Sequence, residues 1–531
     1  MSRILFEREQ PIEEPDPDRA DVAFFAGLIR LKDGAAAPQN VMDWLKAHGW
    51  LRDPFLERVT TLTDIPIPIE NYASFAGMFD EGASAASLGT DYVAAAVRSF
   101  FAQGGRRCYV VRTGDPLQPA SATSNKAASL KGLLPDGAFL PDDRRSWHGV
   151  GHLGGLPDVT LLAVPDLPAI HASEPIGAKG QIPVIPSGPE QFVECSAADV
   201  TPAQQRAFEN PAPRLAPAQY GEWAQSVKTI INYLAGGAEK QVPHLREIQF
   251  VAAFPLPLDL DVAAANENAS SASLAQDIRD QVATLMPEQT EAESPGTLSS
   301  AFLQLSYPWL KTSGSSVLLQ SLEPPDGALA GMLARNALTR GAHASAVKVT
   351  PAEIYDVWPE LPADETTVPE APIPWGNPRK RPLIQRLSLF GFTPNGLQLL
   401  SDVTCYPGES YRPGRVNRLV SVIARAARRL GEEVTFERNG ETLWARVQTT
   451  LQQLLTRLWR LDALEGASPK DAFTVQCDRS TMTQNDIDNG RLIAVVTFTA
   501  AATIELIHVT LAINTAQSGV LAPLPQLAAV V

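Results

Sequence analysis

DYVAAAVRSFFAQGGRRCYVVR, residues 91–112, reads as a helix, a stop signal and a strand in immediate succession. Val93, Val97, Phe100 and Phe101 share one face of a helix over Asp91–Gln103, and Gly104-Gly105 supply the backbone freedom that ends it. Arg107 to Arg112, RCYVVR, is then a short apolar strand. Upstream, Asp21 to Ile29 (DVAFFAGLI) is an apolar run that starts behind Pro and Asp, the pattern of a buried strand. Strand, helix and strand in that order predict a βαβ-like unit with its helix packed on a sheet.

Outward from this unit the texture changes twice. From about residue 114 to 225, Pro, Gly, Ser and Ala punctuate every few positions, and only DVTLLAVPDL (158–167) stands out as a strand. A second ordered block, 223–260, holds a helix through Val227, Ile230, Ile231 and Leu234 and then a strand, REIQFVAAFPLPL. Pro359 to Pro382 is Pro-dense and reads as a linker. Beyond it, Val416, Leu419, Val420, Ile423, Ala427 and Leu430 form the stripe of an amphipathic helix. EVTFER is expected to be a strand, Asn439-Gly440 a turn, and Leu443 to Leu461 a second helix. Two closing strands follow, and in the second Ile507, Val509, Leu511 and Ile513 alternate with His508, Thr510 and Ala512.

A chain of 531 residues implies about three to four domains. At 44% hydrophobic and 19% charged it can bury a sizeable core, which excludes disorder from end to end. The net charge of −15 disfavours coating of nucleic acid or anionic lipid. Cys108, Cys195, Cys405 and Cys477 are scattered with no C-x-x-C pair, so they read as buried small hydrophobes of a reducing compartment. The N-terminus has neither signal-peptide nor transit composition, and Leu492 to Ile513 is too rich in Thr and β-branched residues for a membrane helix.

Catalytic signatures do not emerge: P-loop, H-E-x-x-H and G-x-S-x-G patterns are absent. His148 and His152 have H-x-x-x-H spacing, but in a Gly-rich loop. GGRRC (104–108) could bind an anion, though a helix cap explains it more simply, and Asp142-Asp143 and Glu432-Glu433 sit beside turns as hydrated carboxylates. One charge feature rises above background. Residues 378–460 carry 14 Lys and Arg against 6 Asp and Glu, a local +8, while the rest of the chain carries −23. Arg415, Arg418, Arg425, Arg428 and Arg429 fall largely off the helix stripe, so an exposed basic face is expected, suited to an acidic protein partner or simply solvated.

Several segments together resemble the tail-sheath proteins of contractile injection systems, that is, contractile phage tails and phage-tail-like particles. RADVAFFAGLI, IPIPIENYASFAGMFD and YVAAAVRSFFAQGGRRCYVVR look like the N-terminal sheath region, and SYPWL (306–310) with PPDGALAGMLARNALTRGAHASA (324–346) like its central signature. LLSDVTCYP, RVNRLVSVIARAARRL and NDIDNGRLIAVVTFTAAATIELIHVTLAI look like its C-terminal domain, in order. The short Pro-rich start and the elaborated middle are more similar to accessory sheath isoforms near a baseplate.

The resemblance implies an α/β (α+β) multi-domain sheath fold, with a discontinuous core from N- and C-terminal regions, mixed sheets flanked by helices, and an elaborated central, outer region. The expected divisions are an arm (1–19), the N-terminal core (20–113), the elaborated region (114–300), the central signature (301–358), the linker (359–382), the C-terminal domain (383–513) and a tail (514–531). It implies a structural, non-enzymatic subunit without cofactor or metal, forming hexameric rings around an inner tube and joined to neighbours by strand exchange through Ile507, Val509, Leu511 and Ile513. The arginines of helix 413–430 would meet the inner tube. Partners would be this chain and other sheath isoforms, the tube protein and baseplate proteins, with no nucleic acid and no membrane insertion. Assembly would occur in the bacterial cytoplasm, into a released particle or a virion tail. A baseplate-proximal or cap component that never contracts is the alternative; a displayed hydrolase and a carbohydrate- or surface-binding module within 114–300 are further ones.

Overall fold

The structure, a computed structural model, describes residues 19–80, 90–117, 123–137, 139–173, 212–236, 242–258, 271–287, 297–369, 378–501 and 506–514. The expected arm before Arg19, the tail after Asn514 and Cys195 lie outside these residues.

Eight strands form one sheet: β1 (Val22–Leu28), β2 (Ile67–Ile69), β3 (Arg107–Gly114), β4 (Leu161–Ala163), β5 (Gln249–Ala253), β6 (Leu303–Tyr307), β7 (Ser388–Thr393) and β8 (Gly396–Leu399). Their order is β8-β7-β6-β5-β4-β1-β3-β2. From β7 to β3 every pairing is parallel, and the two outermost strands are antiparallel. All seven residues of β1 are buried, as expected of a parallel strand covered on both faces, and this is why its sequence lacks alternation. Helix α1 (Tyr92–Ala102) buries Val93, Val97 and Phe100 and ends as expected: Gly104 has φ +98°, and the Gly105 N–H donates to Phe100 O at 3.0 Å. The cap reading of GGRRC is thereby met.

Helix α2 is Pro217–Ala235, and α3 is Asp326–Arg340. α3 lies on α1 at backbone contact. A Cβ on Gly327 would come 2.4 Å from Ala96 Cα, and one on Gly331 2.5 Å from Phe100 O, so only glycine fits at either place.

A second core gathers α4 (Gly414–Glu433), α5 (Glu441–Arg460) and the antiparallel strands β9 (Phe473–Gln476), β10 (Arg491–Thr499) and β11 (Leu506–Asn514) in the order β9-β10-β11. In β10, Leu492, Ala494, Val496 and Phe498 are buried and the residues between them are not, the signature of a sheet with one covered face.

Four expectations are corrected. Residues 114–300, expected to be an outer elaboration holding one core strand within 158–167, supply that strand as β4 and also a second, β5, beside it in the middle of the large sheet. The C-terminal domain does not start at 383: β7 pairs with β6, and the two cores separate between Cys405 and Val416. The segment read as a linker is anchored, with Glu365 fully buried, ion-paired to Arg279, and accepting from Leu383 N at 2.8 Å. EVTFER is a turn, since Val434 is buried as the next member of the α4 stripe and Phe436 stands 95% exposed with φ +78°.

Candidate assembly site

Two features bear on assembly: the open side of β11 and the basic helix α4. β11 pairs with β10 through nine register positions, and Ile507, Val509, Leu511 and Ile513 stand opposite Phe498, Val496, Ala494 and Leu492. Among the described residues nothing pairs with its other side. A strand in that position carries a row of backbone N–H and C=O groups able to accept another strand.

The arginines of α4 are not where the sequence reading put them. Arg418, Arg425 and Arg428 are buried; only Arg415 and Arg429 keep partial exposure. The apolar stripe belongs to the second core, and the opposite face is pressed against the large-sheet domain. Arg418 grips Asp402 with two bonds, Nη2 to Oδ2 at 2.6 Å and Nη1 to Oδ1 at 3.0 Å. Arg428 donates from Nε to Glu247 Oε1 at 2.7 Å and from Nη2 to Oε2 at 3.0 Å. Arg425 donates from Nε to Glu247 Oε2 at 3.3 Å and from Nη1 to Arg19 O at 2.7 Å. Asn417 adds a bond to Gln249 Oε1 at 2.5 Å.

Burial would raise the Asp402 carboxyl, but the Arg418 charge and hydrogen bonds hold it below the usual range. Burial lowers the Arg425 guanidinium despite Glu247 beside it. The seam between the domains is therefore ionic and buried. Nothing in the helix sequence disclosed Glu247 or Asp402 as the partners; the available signal was a carboxylate just before β5 and another just after β8.

The histidine pair converges on a carboxylate rather than standing as an isolated H-x-x-x-H. His148 Nδ1 and His152 Nε2 each lie 3.0 Å from an oxygen of Asp64, which also accepts from Gly149 N at 3.0 Å and pairs with Arg58 at 2.9 Å. These bonds tie the loop before β2 to the Gly149–Gly155 turn. Among the described residues no group of three or more His, Cys, Asp or Glu is arranged to hold a metal ion.

In parallel α/β sheets, ligands enter at the carboxyl ends of the strands. Here that end of β1 is filled from within. Asp166 Oδ2 accepts from Leu28 N at 2.6 Å, and a Cβ on Gly27 would strike it. Nearby, Glu323 accepts from Ser99 and from Thr312, at 2.9 Å for the latter, and burial pushes Glu323 and Asp326 each up to about 7. Cys108, Cys405 and Cys477 are buried and unpaired.

Residues 407–514 match the family model of the phage tail sheath C-terminal domain. The C-terminal domain is that of the tail sheath family. The match begins where the second core begins and ends with β11, so the sheath domain is the α4–β11 unit. No curated protein matches the chain. Among solved structures, the chain is similar to one in the anti-feeding prophage baseplate in its contracted state (TM-score 0.52, 16% identity, 96% of each chain covered). A chain of the 6-fold symmetrised anti-feeding prophage baseplate gives TM-score 0.51 at 17% identity, over 95% of this chain and 96% of that one. One from the contracted helical sheath of the same particle gives 0.49 at 19%, over 95% and 98%. The first two likenesses extend the shared fold over nearly the whole chain. No helix among the described residues is long and apolar enough to cross a membrane.

Proposed function

We propose that this chain is a structural subunit of a contractile injection particle, a sheath-type protein that polymerises in rings around an inner tube and holds its neighbours by exchanged strands. The observation that carries the reading is the nine-residue outer side of β11 in a sheath C-terminal domain. A strand added there would satisfy open backbone groups at roughly 0.5–1.5 kcal/mol net per hydrogen bond, enough in sum to keep copies linked while their bodies rotate. The arm before Arg19 is the natural donor, and Ile507, Val509, Leu511 and Ile513 would set its register. Of the five arginines assigned to the inner tube, Arg415 and Arg429 remain able to serve. Assembly would precede release from the cell or completion of a virion tail, with baseplate proteins and sheath isoforms as further partners.

Successive residues of a strand direct their N–H groups alternately to either side. One of H508P and V509P therefore removes an outward N–H while leaving the β10–β11 ladder intact. That variant should fold normally and fail to form rings or tubes by electron microscopy; normal assembly by both variants would overturn strand addition at β11.

Two structures that the chain resembles at a TM-score above 0.5 are baseplate structures, which favours as second reading a baseplate-proximal component with the sheath fold. Copy number separates the two: a single ring per particle, or many.

A further inference from the structure

A groove of about 590 Å³ opens where the C-terminal end of α3 meets α4 and α5. Its floor is apolar, with Leu458 buried and Leu338 and Leu461 partly open to solvent, and its walls carry Arg19, Arg106, Arg340 and Arg457. No Asp or Glu is among its described lining residues. Arg340 sits in the last turn of α3 and donates to neutral oxygens, Asn336 Oδ1 at 3.4 Å and Ser345 O at 3.1 Å. The groove is thus an apolar trough rimmed by positive charge, and it lies beside the buried clamp of α4.

Arg19 is both a wall of this groove and the first described residue of the chain. Its carbonyl is held by Arg425 and its side chain by Asp21 at 2.7 Å, so the point from which the preceding segment departs is fixed. That segment, EQPIEEPDPD (9–18), carries Glu9, Glu13, Glu14, Asp16 and Asp18, no basic residue, and one large aliphatic, Ile12. At about 3.4 Å per residue it reaches some 30 Å from Arg19, enough to cover the groove. Pro11, Pro15 and Pro17 lack the N–H that a β-ladder requires, so this part of the arm is unsuited to strand addition, whereas RILFER (3–8) has no such defect.

We propose that residues 9–18 dock in the basic groove of their own chain, with their carboxylates on Arg106, Arg340 and Arg457 and Ile12 on the leucines, so that only residues 1–8 remain free to reach a neighbour. This refines the strand-exchange reading by dividing the arm into an anchor and a donor. The division sets the length of the tether at the groove rather than at the fold boundary.

The test is Glu-specific proteolysis of the full-length chain, following cleavage after Glu9 and Glu13 by mass spectrometry, since Pro15 blocks the bond after Glu14. In wild type these bonds should be protected, with cleavage about tenfold faster in R106E/R340E/R457E, because cleavage follows the population of the open arm. Raising the salt should have the same effect on wild type. Adding E13K/E14K/D16K to the triple variant should restore protection after Glu9, the cleavage site that remains. Equal cleavage in wild type and triple variant, absence of rescue in the charge swap, or protection that grows with protein concentration would overturn docking in the same chain; the last outcome would assign the arm to a second copy. Circular dichroism of each variant checks folding. Assembly is scored separately, so loss of this proposal with normal rings leaves the strand-exchange reading standing.

Discussion

β2 and β8 finish the large sheet with three and four residues, the first carrying Pro68, whereas β11 finishes the small sheet with nine residues in continuous register. Short edges and an edge proline are the ordinary means of keeping a sheet from recruiting another chain. The large domain has a short strand at both ends and a proline at one; the sheath C-terminal domain has neither at β11. The same contrast runs through their interiors, since the large domain buries carboxyl groups held by hydroxyls and backbone N–H groups at the carboxyl end of its sheet, while the seam to α4 buries carboxylates under arginines.

The most severe way to break this contrast is to delete 506–531. Assembly should be abolished in electron microscopy and sedimentation, while the unfolding transition of the 22–405 core persists in calorimetry. Next, E247A leaves Arg425 buried without a carboxylate and Arg428 with only the exposed Glu432, 2.8 Å from its Nη1, and should cost about 3–5 kcal/mol, splitting the two domains into separate thermal transitions. E247M/R425M/R428L, which removes the buried members of this ionic set, should recover most of that loss.

The two kinds of buried acid also predict opposite responses to pH. Glu323 and Asp326 have folded values raised to about 7, so their contribution is fully present below about 4 and is lost as pH rises through 7. Asp402 has a lowered folded value, so its contribution is present above the ordinary carboxylate range and is lost as pH falls through that lowered value. The midpoint of the large domain should therefore fall between pH 5 and 8, and E323Q should flatten that slope. A substitution in the C-terminal core, I423V, should cost about 0.5–1.5 kcal/mol in chemical denaturation. Smallest of all, R446A breaks an exposed pair with Glu437 and should change stability by less than about 1 kcal/mol, with assembly unaffected.

Much of this contrast was readable from residues alone. β1, α1 and β3 are visible because a fully buried strand is an unbroken apolar run and a helix stop needs glycine, and Leu492 to Ile513 is visible as strands because β-branched residues alternate there. The arginines of α4 were misplaced for a definite reason: a stripe identifies the face that meets its own core, but says nothing of a second body covering the other face. Glu247 and Asp402 come from segments far away in sequence, and only the tertiary fold brings them to the helix. EVTFER was misread because Val and Phe two apart satisfy strand alternation, while Val434 is also four residues beyond Leu430. β4 is legible in 158–167 despite its Pro- and Gly-rich surroundings, whereas the place of β5 beside it in the same sheet is not, because pairing between strands so far apart in sequence leaves no local pattern.

The capped ends of the eight-stranded sheet have a consequence in polymer terms. A monomer with many reactive sites branches and gels, whereas one of functionality two grows only as closed loops or linear threads. By silencing both ends of its largest sheet and leaving one long edge, on β11, among its described residues, the chain restricts the valence at which copies could couple through their backbones, and so favours ordered loops or threads over a tangle.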